Sequence, residues 1–426
     1  MRNVVIVDGV RTAFFRAGSV PDLNARKLGV VPVKELARRY PGLEKLIDCV
    51  VGANIGNQLL PPDGSNIARL IALDAGIPQH VDARTININC GSGLEAIIDA
   101  AMRVEVGLAQ CVLVIGVEVM SDYTAAYGRK QRDEFGKLLA ISKKKSPMVF
   151  KGPRLIAQKA KTRFMAHEPE WLIKVGLTDP YCGLGMDKIA DKLASEFQIS
   201  RKELDLFALE SQRRAYKAQK SGRLAEEIVS FQGLDQDNGV REGQMIEHLA
   251  RLRPLNPGGT TTPGNSSQVS DGAVALIVAD KEFVKAQGWP RLAGVSSELS
   301  AAAGCDPTVM GLGPVAAIRK LFSKMHAMDQ AWDLNAFGVI ETNEAFASVV
   351  LAQSRLLEKE GYGPLPWDRT NINGGAIAIG HPVGASGARL ALTAAIELKR
   401  QKKELAIVTL CVGGGQGVAA VIENLD

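Results

Sequence analysis

Two features are missing from this 426-residue chain, and each absence excludes a class of protein. Its six cysteines form no Cys-x-x-Cys pair, which argues against a disulfide framework and a zinc site and favours a reducing compartment. No apolar run reaches the roughly 18 residues that a spanning helix needs. The N-terminus has a few apolar residues before Asp8 and Arg11, which is typical of a buried strand rather than a signal peptide. We therefore expect a cytoplasmic protein.

Glycine and apolar residues are plentiful instead. The chain has 43 Gly and 46% hydrophobic residues with an ordinary 23% of charged ones. This composition is typical of a soluble α/β enzyme rather than a fibrous or disordered chain. The length allows a large core and favours two domains or two half-domains.

The positive charge is concentrated in residues 129–163. This segment holds twelve Lys or Arg against only Asp133 and Glu134, so the net charge of +5 reflects a basic insertion rather than a basic protein. Only Phe135 and Phe150 supply aromatic rings there, which is a poor match to a nucleic-acid surface. Two interpretations of this segment remain: a solvated loop, or a contact with an acidic ligand, an anionic membrane surface or an acidic partner.

Apolar runs bounded by glycine predict buried strands near residues 4, 49, 111, 272, 337 and 405. Most of these runs do not alternate, as is typical of parallel strands covered on both faces. Helical patterns lie between them. Ser200 and Glu203 form a capping box at the start of one helix, and Pro314 opens another.

The chain also contains an internal repeat. SGLEAIIDAA from Ser92 aligns with SGARLALTAA from Ser386 at an offset of 294 residues, and the strands that follow align within a residue. Earlier, VVGAN at 50–54 resembles VIETN at 339–343. Because both repeated helices have few polar positions, we expect them to be buried against each other between two sheets. Their N-terminal loops would then meet at one site.

Cys90 is the first candidate for chemistry in those loops. It precedes the turn Gly91–Gly93 and the apolar helix, where unpaired N–H groups favour an anion. We therefore expect a thiol with a lowered pKa and enhanced nucleophilicity, against the alternative of a small buried hydrophobic residue.

Three further residues stand at equivalent or similar places. His381, between Gly380 and Pro382, corresponds in the repeat to a position three residues before Cys90, so it could reach the thiol as a base. Cys411 ends an apolar strand before a glycine turn. A packing role and a catalytic role for its thiol both remain open. Asn343 follows a strand and is either a helix N-cap or a ligand for a water or substrate oxygen.

Taken together, the motifs resemble the thiolase family, which comprises acetyl-CoA acetyltransferases and 3-ketoacyl-CoA thiolases. The matching stretches cover nearly the whole chain in the expected order: VVIVDGVRTAF, NINCGSGLEA, GTTTPGNSSQVSDGA, DPTVMGLGPVAA, NEAFA, GGAIAIGHPVGASGAR and CVGGGQG. The resemblance implies a five-layer αβαβα fold of two similar halves. It further implies a reversible Claisen-type acyl transfer between CoA thioesters.

In that resemblance, Cys90 is the acylated nucleophile, His381 promotes its deprotonation and Cys411 is the general acid/base at the α-carbon of acetyl-CoA. Asn343, through a water, and His381 stabilise the enolate, while the N–H groups of Cys90 and Gly413 form a second oxyanion hole. CoA is a co-substrate, and no metal or redox cofactor is implied.

The resemblance also implies a set of CoA and acyl contacts: Ser267, Met310, Ala345, Phe346 and Met186. Two departures from the family pattern lie in the motifs that carry these contacts. Asp187 replaces a glycine beside the acyl pocket, and Pro263 appears in the TPGNSSQ run.

We expect an N-terminal core half over residues 1–120 plus 251–284, a loop/cap insertion over 121–250 and a C-terminal core half over 285–426. By resemblance the chain forms a homodimer or homotetramer. Its insertion is like that of degradative thiolases that partner a β-oxidation subunit. Two alternatives remain: a related condensing enzyme, such as a ketoacyl synthase, and a non-catalytic CoA- or lipid-binding or scaffold subunit.

Overall fold

The computed structural model describes residues 3–57, 64–123, 125–126, 156–157, 170–327 and 332–425. The strands are β1 (Val4–Thr12), β2 (Phe15–Arg16), β3 (Cys49–Ala53), β4 (Asp82–Ile86), β5 (Cys111–Val119), β6 (Ala125–Ala126), β7 (Glu170–Trp171), β8 (Ile228–Val229), β9 (Ser270–Asp280), β10 (Ala293–Gly304), β11 (Val339–Thr342), β12 (Leu405–Val412) and β13 (Gln416–Glu423).

The helices follow the same order along the chain. They are α1 (Ala25–Arg39), α2 (Ile67–Asp74), α3 (Ser92–Glu105), α4 (Leu172–Gly176), α5 (Met186–Glu196), α6 (Arg201–Lys220), α7 (Ile246–Ala250), α8 (Lys281–Gln287), α9 (Gly313–His326), α10 (Ala347–Lys359), α11 (Ala376–Ile379) and α12 (Val383–Gln401). Short 3-10 helices span Leu43–Lys45, Met120–Asp122, Leu224–Glu227, Pro307–Leu312 and Leu334–Ala336.

The main sheet is mixed, with strand order β11-β12-β13-β10-β1-β9-β5-β3-β4. Strands β4, β3 and β5 are parallel, as are β11 and β12, whereas β9 is antiparallel to β5 and β1, and β1 is antiparallel to β10. The parallel arrangement expected from the apolar runs is therefore wrong for the runs near residues 4 and 272. Antiparallel strands that are buried on both faces show the same unalternating pattern.

The sheet contains one arrangement twice. In the N-terminal half, β3 is parallel to β5, and β9 and β1 follow antiparallel. In the C-terminal half, β11 is parallel to β12, and β13 and β10 follow antiparallel. The halves join where β1 meets β10, at Val5–Gly294 and Ile6–Ala293. The predicted internal repeat is thus present in the topology.

Both faces of each half-sheet are buried, which produces five layers. In β5, Val112 and Val114 face the central core with α3 and α12, whereas Leu113 and Ile115 face the outer core with α1 and α2. In the other half, Ile407 of β12 faces a second outer core with α9 and α10. The order α, β, α, β, α confirms the fold class expected from the sequence.

The two central helices approach closely because each carries a glycine at the contact. A Cβ on Gly93 would lie 2.7 Å from the backbone nitrogen of Ala388, and one on Gly387 would lie 2.4 Å from the backbone nitrogen of Leu94. The Gly93 Cβ would also be 2.9 Å from the carbonyl oxygen of Gly384. The starts of α3 and α12, and hence the loops before them, are therefore neighbours.

Two helix starts follow the local signals. Ser200 and Glu203 form a reciprocal capping box at the start of α6, and Pro314 occupies the first turn of α9. Both predictions are confirmed. Within the described part of the chain, no helix combines the length and apolar character needed to cross a bilayer.

The chain divides into a small compact unit, residues 123–178, and a large unit that contains the rest of the chain. In the small unit, β6 and β7 form an antiparallel ribbon that is followed by α4. The small unit is shorter than the predicted insertion, 121–250, because Ile189 and Leu193 of α5 and Leu204 of α6 pack in a core with α10. The basic segment 129–163 lies outside the described residues except for 156–157.

Candidate active site

The first candidate residue, Cys90, lies in a tight loop between β4 and α3. Asn89 has a left-handed backbone with φ of 53°, which asparagine tolerates better than most residues. The Ser92 hydroxyl accepts from the Ile88 N–H at 2.8 Å and donates to the Asn89 carbonyl at 2.7 Å. These bonds fix the loop so that Cys90 immediately precedes Gly91, the N-cap of α3.

Cys90 is half-buried, but the surrounding protein desolvates its thiol and raises the pKa to about 11. The backbone N–H groups of Gly413 and of Cys90 itself oppose this rise in pKa, and the charge of Glu118 adds to it. The lowered pKa expected from the helix N-terminus is therefore wrong, because desolvation outweighs the N–H donors. The free site holds a neutral thiol at pH 7.

Gly413 belongs to a glycine turn that joins β12 to β13. Its N–H acts on the Cys90 sulfur, and its carbonyl accepts from Asn89 Nδ2 at 3.0 Å. A Cβ at Gly413 would be 3.9 Å from the Met186 side chain, so this turn also borders Met186. The two N–H groups predicted to share an oxyanion therefore lie beside the same sulfur.

His381 precedes α12 and is buried with 7% exposure. Its Nδ1 lies 2.6 Å from the Ser386 hydroxyl, which donates its own proton to the Pro382 carbonyl at 2.9 Å. Ser386 can therefore only accept, so His381 carries its proton on Nδ1 and has a free electron pair on Nε2. That tautomer is the one a base acting through Nε2 requires.

The imidazole is neutral at physiological pH. Burial, with a smaller effect from the positive charge of Arg389, lowers the pKa of His381 to about 4. Arg389 is itself buried and paired with Glu341 at 3.2 Å. A neutral thiol and a neutral imidazole together avoid an uncompensated charge in a desolvated site.

Asn343 follows β11 and is not a helix N-cap, because α10 begins at Ala347 with Phe346 as its N-cap. Its Nδ2 lies 3.3 Å from His381 Nε2, near the outer limit for such a bond. Its Oδ1 is buried and has no hydrogen-bond partner among the described residues. A buried amide oxygen in this condition suits a water or a substrate donor.

Cys411 is buried near the end of β12, and the Asn343 N–H donates to the carbonyl of Thr409, two residues earlier, at 3.0 Å. Burial raises the pKa of the Cys411 thiol far above its usual value, and the nearby Cys90 adds to the rise. The structure thus places Cys90, Gly413 and Cys411 together, and places His381 beside Asn343.

The predicted CoA and acyl contacts lie in or next to the apolar cluster that contains Cys411. Met310 and Ala345 belong to its apolar cluster, and Met186 and Phe346 pack against that cluster. The Ser267 N–H donates to the Ala345 carbonyl at 2.9 Å, which brings Ser267 to the same region. Their contacts with substrate stay a prediction.

One departure from the family pattern has a local explanation. The Asp187 carboxylate accepts from Asn256 Nδ2 at 3.0 Å, and the same amide donates to Asp191 at 2.9 Å. Asp191 in turn accepts from the N–H groups of Thr260 and Thr261. Asp187 therefore belongs to the network that shapes the loop before Ser267.

Sequence reasoning missed three residues of this site. Glu118 is a fully buried carboxylate that accepts from Gly384 N–H, in the first turn of α12, and from the Ile55 and Gly56 N–H groups. The sequence did carry a signal for Glu118, because it is the only acid in the apolar run CVLVIGVEV. The internal repeat carried a signal for Ser386, because it aligns this residue with Ser92. Asp179, which accepts from the Gly414 N–H at 3.1 Å, carried no local signal.

Comparisons with known proteins agree with this geometry. A family model of the thiolase N-terminal domain matches residues 4–282, and one of the C-terminal domain matches residues 292–424. The chain is 39% identical to the Beta-ketoadipyl-CoA thiolase of Pseudomonas knackmussii and 36% identical to an Acetyl-CoA acetyltransferase of Pseudomonas aeruginosa, with at least 99% of each chain covered.

Solved structures show the same relationship. Human mitochondrial 3-ketoacyl-CoA thiolase in complex with CoA has a TM-score of 0.85 at 31% identity, covering 100% of this chain and 98% of that one. The Bacillus anthracis acetyl-CoA acetyltransferase has a TM-score of 0.84, also at 31% identity, with coverage of 100% and 99%. The fold, the order of the motifs and both family models agree, and the chain belongs to the thiolase family of acyltransferases.

Proposed function

We propose that the protein cleaves and forms 3-ketoacyl-CoA thioesters through an acyl group carried on Cys90. The observation that carries the proposal is the meeting of two thiols with one oxyanion-binding turn. Cys90 lies beside the Gly413 N–H, and it is near enough to Cys411 for its ionisation to raise the pKa of the second thiol. A site with two thiols in different environments suits one nucleophile and one acid/base.

In the first step, the Cys90 sulfur attacks the carbonyl carbon of an acyl-CoA thioester. Its proton passes to Nε2 of His381, whose Nδ1–H is held by Ser386. The N–H groups of Cys90 and Gly413 stabilise the negative charge on the carbonyl oxygen. The bond between carbon and the CoA sulfur then breaks, and His381 returns the proton to the leaving thiolate. The products are acyl-Cys90 and free CoA.

In the second step, the Cys411 thiol first gives its proton to solvent, and the resulting thiolate removes a proton from the α-carbon of acetyl-CoA. His381 and a water held by Asn343 stabilise the enolate oxygen. The α-carbon attacks acyl-Cys90, the carbon–sulfur bond breaks, and the Cys90 thiolate takes a proton from solvent, so that both thiols are restored and a 3-ketoacyl-CoA is released. Thiolysis is the reverse of these two steps. Carbon and sulfur bonds are exchanged without net oxidation, so we propose CoA as co-substrate with no metal or redox cofactor.

The acyl group is the finer part of the proposal. Several relatives with 38–39% identity are named as Beta-ketoadipyl-CoA or 3-oxoadipyl-CoA thiolases, and one with 36% identity as an Acetyl-CoA acetyltransferase. We propose that the substrates include acetoacetyl-CoA or a longer 3-ketoacyl-CoA, such as a 3-ketodicarboxylyl thioester or a β-oxidation intermediate. A related condensing enzyme or a non-catalytic subunit is the alternative, and the presence of all three residues Cys90, His381 and Cys411 in this chain favours catalysis.

The decisive experiment mixes the protein with CoA and a panel of acetoacetyl-CoA, 3-ketooctanoyl-CoA and 3-ketoadipyl-CoA. Loss of the 3-ketoacyl absorbance and formation of acetyl-CoA are followed together. We expect thiolysis of at least one member, and the ratio of kcat/KM values ranks the acyl groups. No turnover of any member would overturn the catalytic proposal and favour the non-catalytic alternative.

Two variants test the division of labour between the thiols. Cys90→Ala is expected to abolish the acyl adduct seen by intact mass, whereas Cys411→Ala is expected to retain the adduct but lose condensation. Cys49→Ala, in the core of β3, is the control that removes a thiol away from the site. An adduct that persists in Cys90→Ala would show that the nucleophile is another residue.

Assembly and location complete the proposal. All six cysteines are free thiols, which favours the reducing cytoplasm. Strand β4 ends the sheet and pairs, within the described residues, with β3 alone, and such an edge favours pairing with a second copy. We therefore propose a homodimer or a tetramer built from it, which sedimentation at micromolar concentration tests.

The basic segment 129–163 is proposed to contact an anionic membrane or a β-oxidation partner. Such binding is expected to weaken as the salt concentration rises.

A further inference from the structure

One peptide group in the glycine turn is held at both ends by side chains from separate parts of the chain. Its carbonyl, that of Gly413, accepts from Asn89 Nδ2 at 3.0 Å. Its N–H, that of Gly414, donates to Asp179 Oδ2 at 3.1 Å. Asn89 stands next to the nucleophile Cys90, and Asp179 precedes α5.

The turn needs such restraint because its own sequence supplies little. Gly414 and Gly415 have φ of 87° and 78°, a region that glycine enters and leaves at almost no cost. A run of three glycines between two strands can therefore rotate a peptide group easily. The N–H of Gly413, the group that acts on the Cys90 sulfur, is carried by this same turn.

Further contacts fix the side chain of Asp179 and the backbone of Asn89. Asp179 is buried with 1% exposure, and its Oδ1 accepts from the N–H groups of Tyr181 and Cys182 at 2.8 and 3.0 Å. Burial opposes ionisation, but these N–H donors and that of Gly414 hold the pKa of Asp179 below its usual value. The Asn89 side chain is exposed, but its backbone has a left-handed φ and a carbonyl that accepts from the Ser92 hydroxyl.

We propose that Asn89 and Asp179 are positioning residues that clamp the 413–414 peptide and so aim the Gly413 N–H at the acyl oxyanion on Cys90. The inference rests on the proposed role of Cys90 and Gly413. Neither residue touches the reacting atoms through its own side chain in this role. The clamp couples the nucleophile loop to the oxyanion turn, so that one cannot shift without the other.

The test uses two small changes with a matched control. Asn89→Gly removes the amide and keeps a backbone that accepts positive φ, and Asp179→Asn keeps an uncharged acceptor for the buried N–H groups. Gln232→Gly is the control, because Gln232 is exposed, has φ of 51° and lies outside this turn. Each test variant is expected to lower the acylation rate of Cys90 by about tenfold or more while KM changes less than about threefold.

Alkylation of Cys90 by iodoacetamide supplies a readout that needs no substrate. The Gly413 N–H stabilises the Cys90 thiolate, so loss of the clamp is expected to raise the pKa of Cys90. The pH dependence of alkylation should therefore move to higher pH in both test variants but not in Gln232→Gly. Because both side chains hold one peptide, the double variant is expected to lose less than the product of the single losses.

Wild-type acylation and an unshifted alkylation profile in both test variants would overturn the clamp. Fully multiplicative losses would also overturn it, since the two residues would then act independently. Failure of the proposed function is a different result. In that case wild-type protein itself forms no acyl adduct, whereas the shift of the alkylation profile is still measured.

Discussion

The two halves of the core have the same topology but use equivalent side chains differently. Asn54 and Asn343 directly follow equivalent strands of the two halves, β3 and β11. Asn54 Nδ2 lies within 3.1 Å of Asn57 Oδ1, the Val117 carbonyl and Glu118 Oε1, all of them in its own half. Asn343 Nδ2 instead faces His381 Nε2.

The paired serines show the same contrast. Ser92, at the start of α3, uses its hydroxyl on backbone groups of Ile88 and Asn89. Ser386, its equivalent in α12, donates its hydroxyl proton to a backbone carbonyl and accepts a hydrogen bond from the His381 ring. The repeat therefore supplies two rigid helix starts. One holds a backbone loop around a nucleophile, and the other holds an imidazole in one tautomer.

Truncation of the equivalent asparagines is the strongest test of whether the two halves use them differently. Asn343→Ala is expected to lower kcat by about 100-fold or more with little loss of stability, because it removes a group at the developing charge. Asn54→Ala is expected to lower the free energy of unfolding by about 2 kcal/mol with kcat within about threefold, because its partners are left buried. Urea unfolding and steady-state kinetics measure both, and equal kinetic losses in the two variants would remove the distinction.

The buried imidazole predicts a pH dependence of stability that the N-terminal half does not share. The pKa of His381 is about 4, against an ordinary value of 6.5, so the unfolded chain binds more protons between these values. Stability from this group is present above pH 6.5 and is lost as the pH falls toward 4, by a total on the order of 3 kcal/mol.

Urea unfolding of wild type and His381→Asn between pH 7 and pH 4 measures this contribution, because other titrating groups are common to both proteins. We expect wild type to lose more stability than the variant over this range. Parallel curves would contradict a neutral buried His381.

The contact between the halves can be tested at its closest point. Gly93→Ala places a Cβ against the backbone of α12 and is expected to lower the free energy of unfolding by at least about 2 kcal/mol, since backbone cannot move aside as a side chain can. Gly176→Ala, in the helix α4 with open space around it, is the control and is expected to change stability by less than about 1 kcal/mol. Similar stability losses would show that the helices separate easily.

The smallest expected effects separate the two serines. Ser386→Ala and Ser92→Ala each remove a bonded hydroxyl, and each is expected to cost about 1 kcal/mol of stability. Only Ser386→Ala leaves the His381 Nδ1–H unpaired, so it is expected to change the pH dependence of kcat between pH 5 and 9. A changed pH profile in Ser92→Ala but not in Ser386→Ala would reverse the assignment.

Much of the fold could be predicted because strands that are buried on both faces of a sheet are apolar along their whole length. The strands near residues 49, 111, 337 and 405 and the helices from Ser92 and Ser386 were all predicted, as was their layered packing. The antiparallel direction of β1 and β9 was not, because pairing direction depends on partners distant in sequence. The lowered pKa expected for Cys90 was wrong for a related reason: a helix terminus is a local feature, whereas desolvation comes from the whole surrounding fold.

The sequence by itself determined the residue types of the site, two thiols, an imidazole and an amide, and the glycines that let two central helices touch. Local patterns fix these, because burial and turn geometry restrict which residues fit. Only the tertiary structure decided the state of each group: a neutral Cys90, a His381 protonated on Nδ1, and a glycine turn clamped by Asn89 and Asp179. Those properties arise from hydrogen bonds and burial between segments that are up to 324 residues apart.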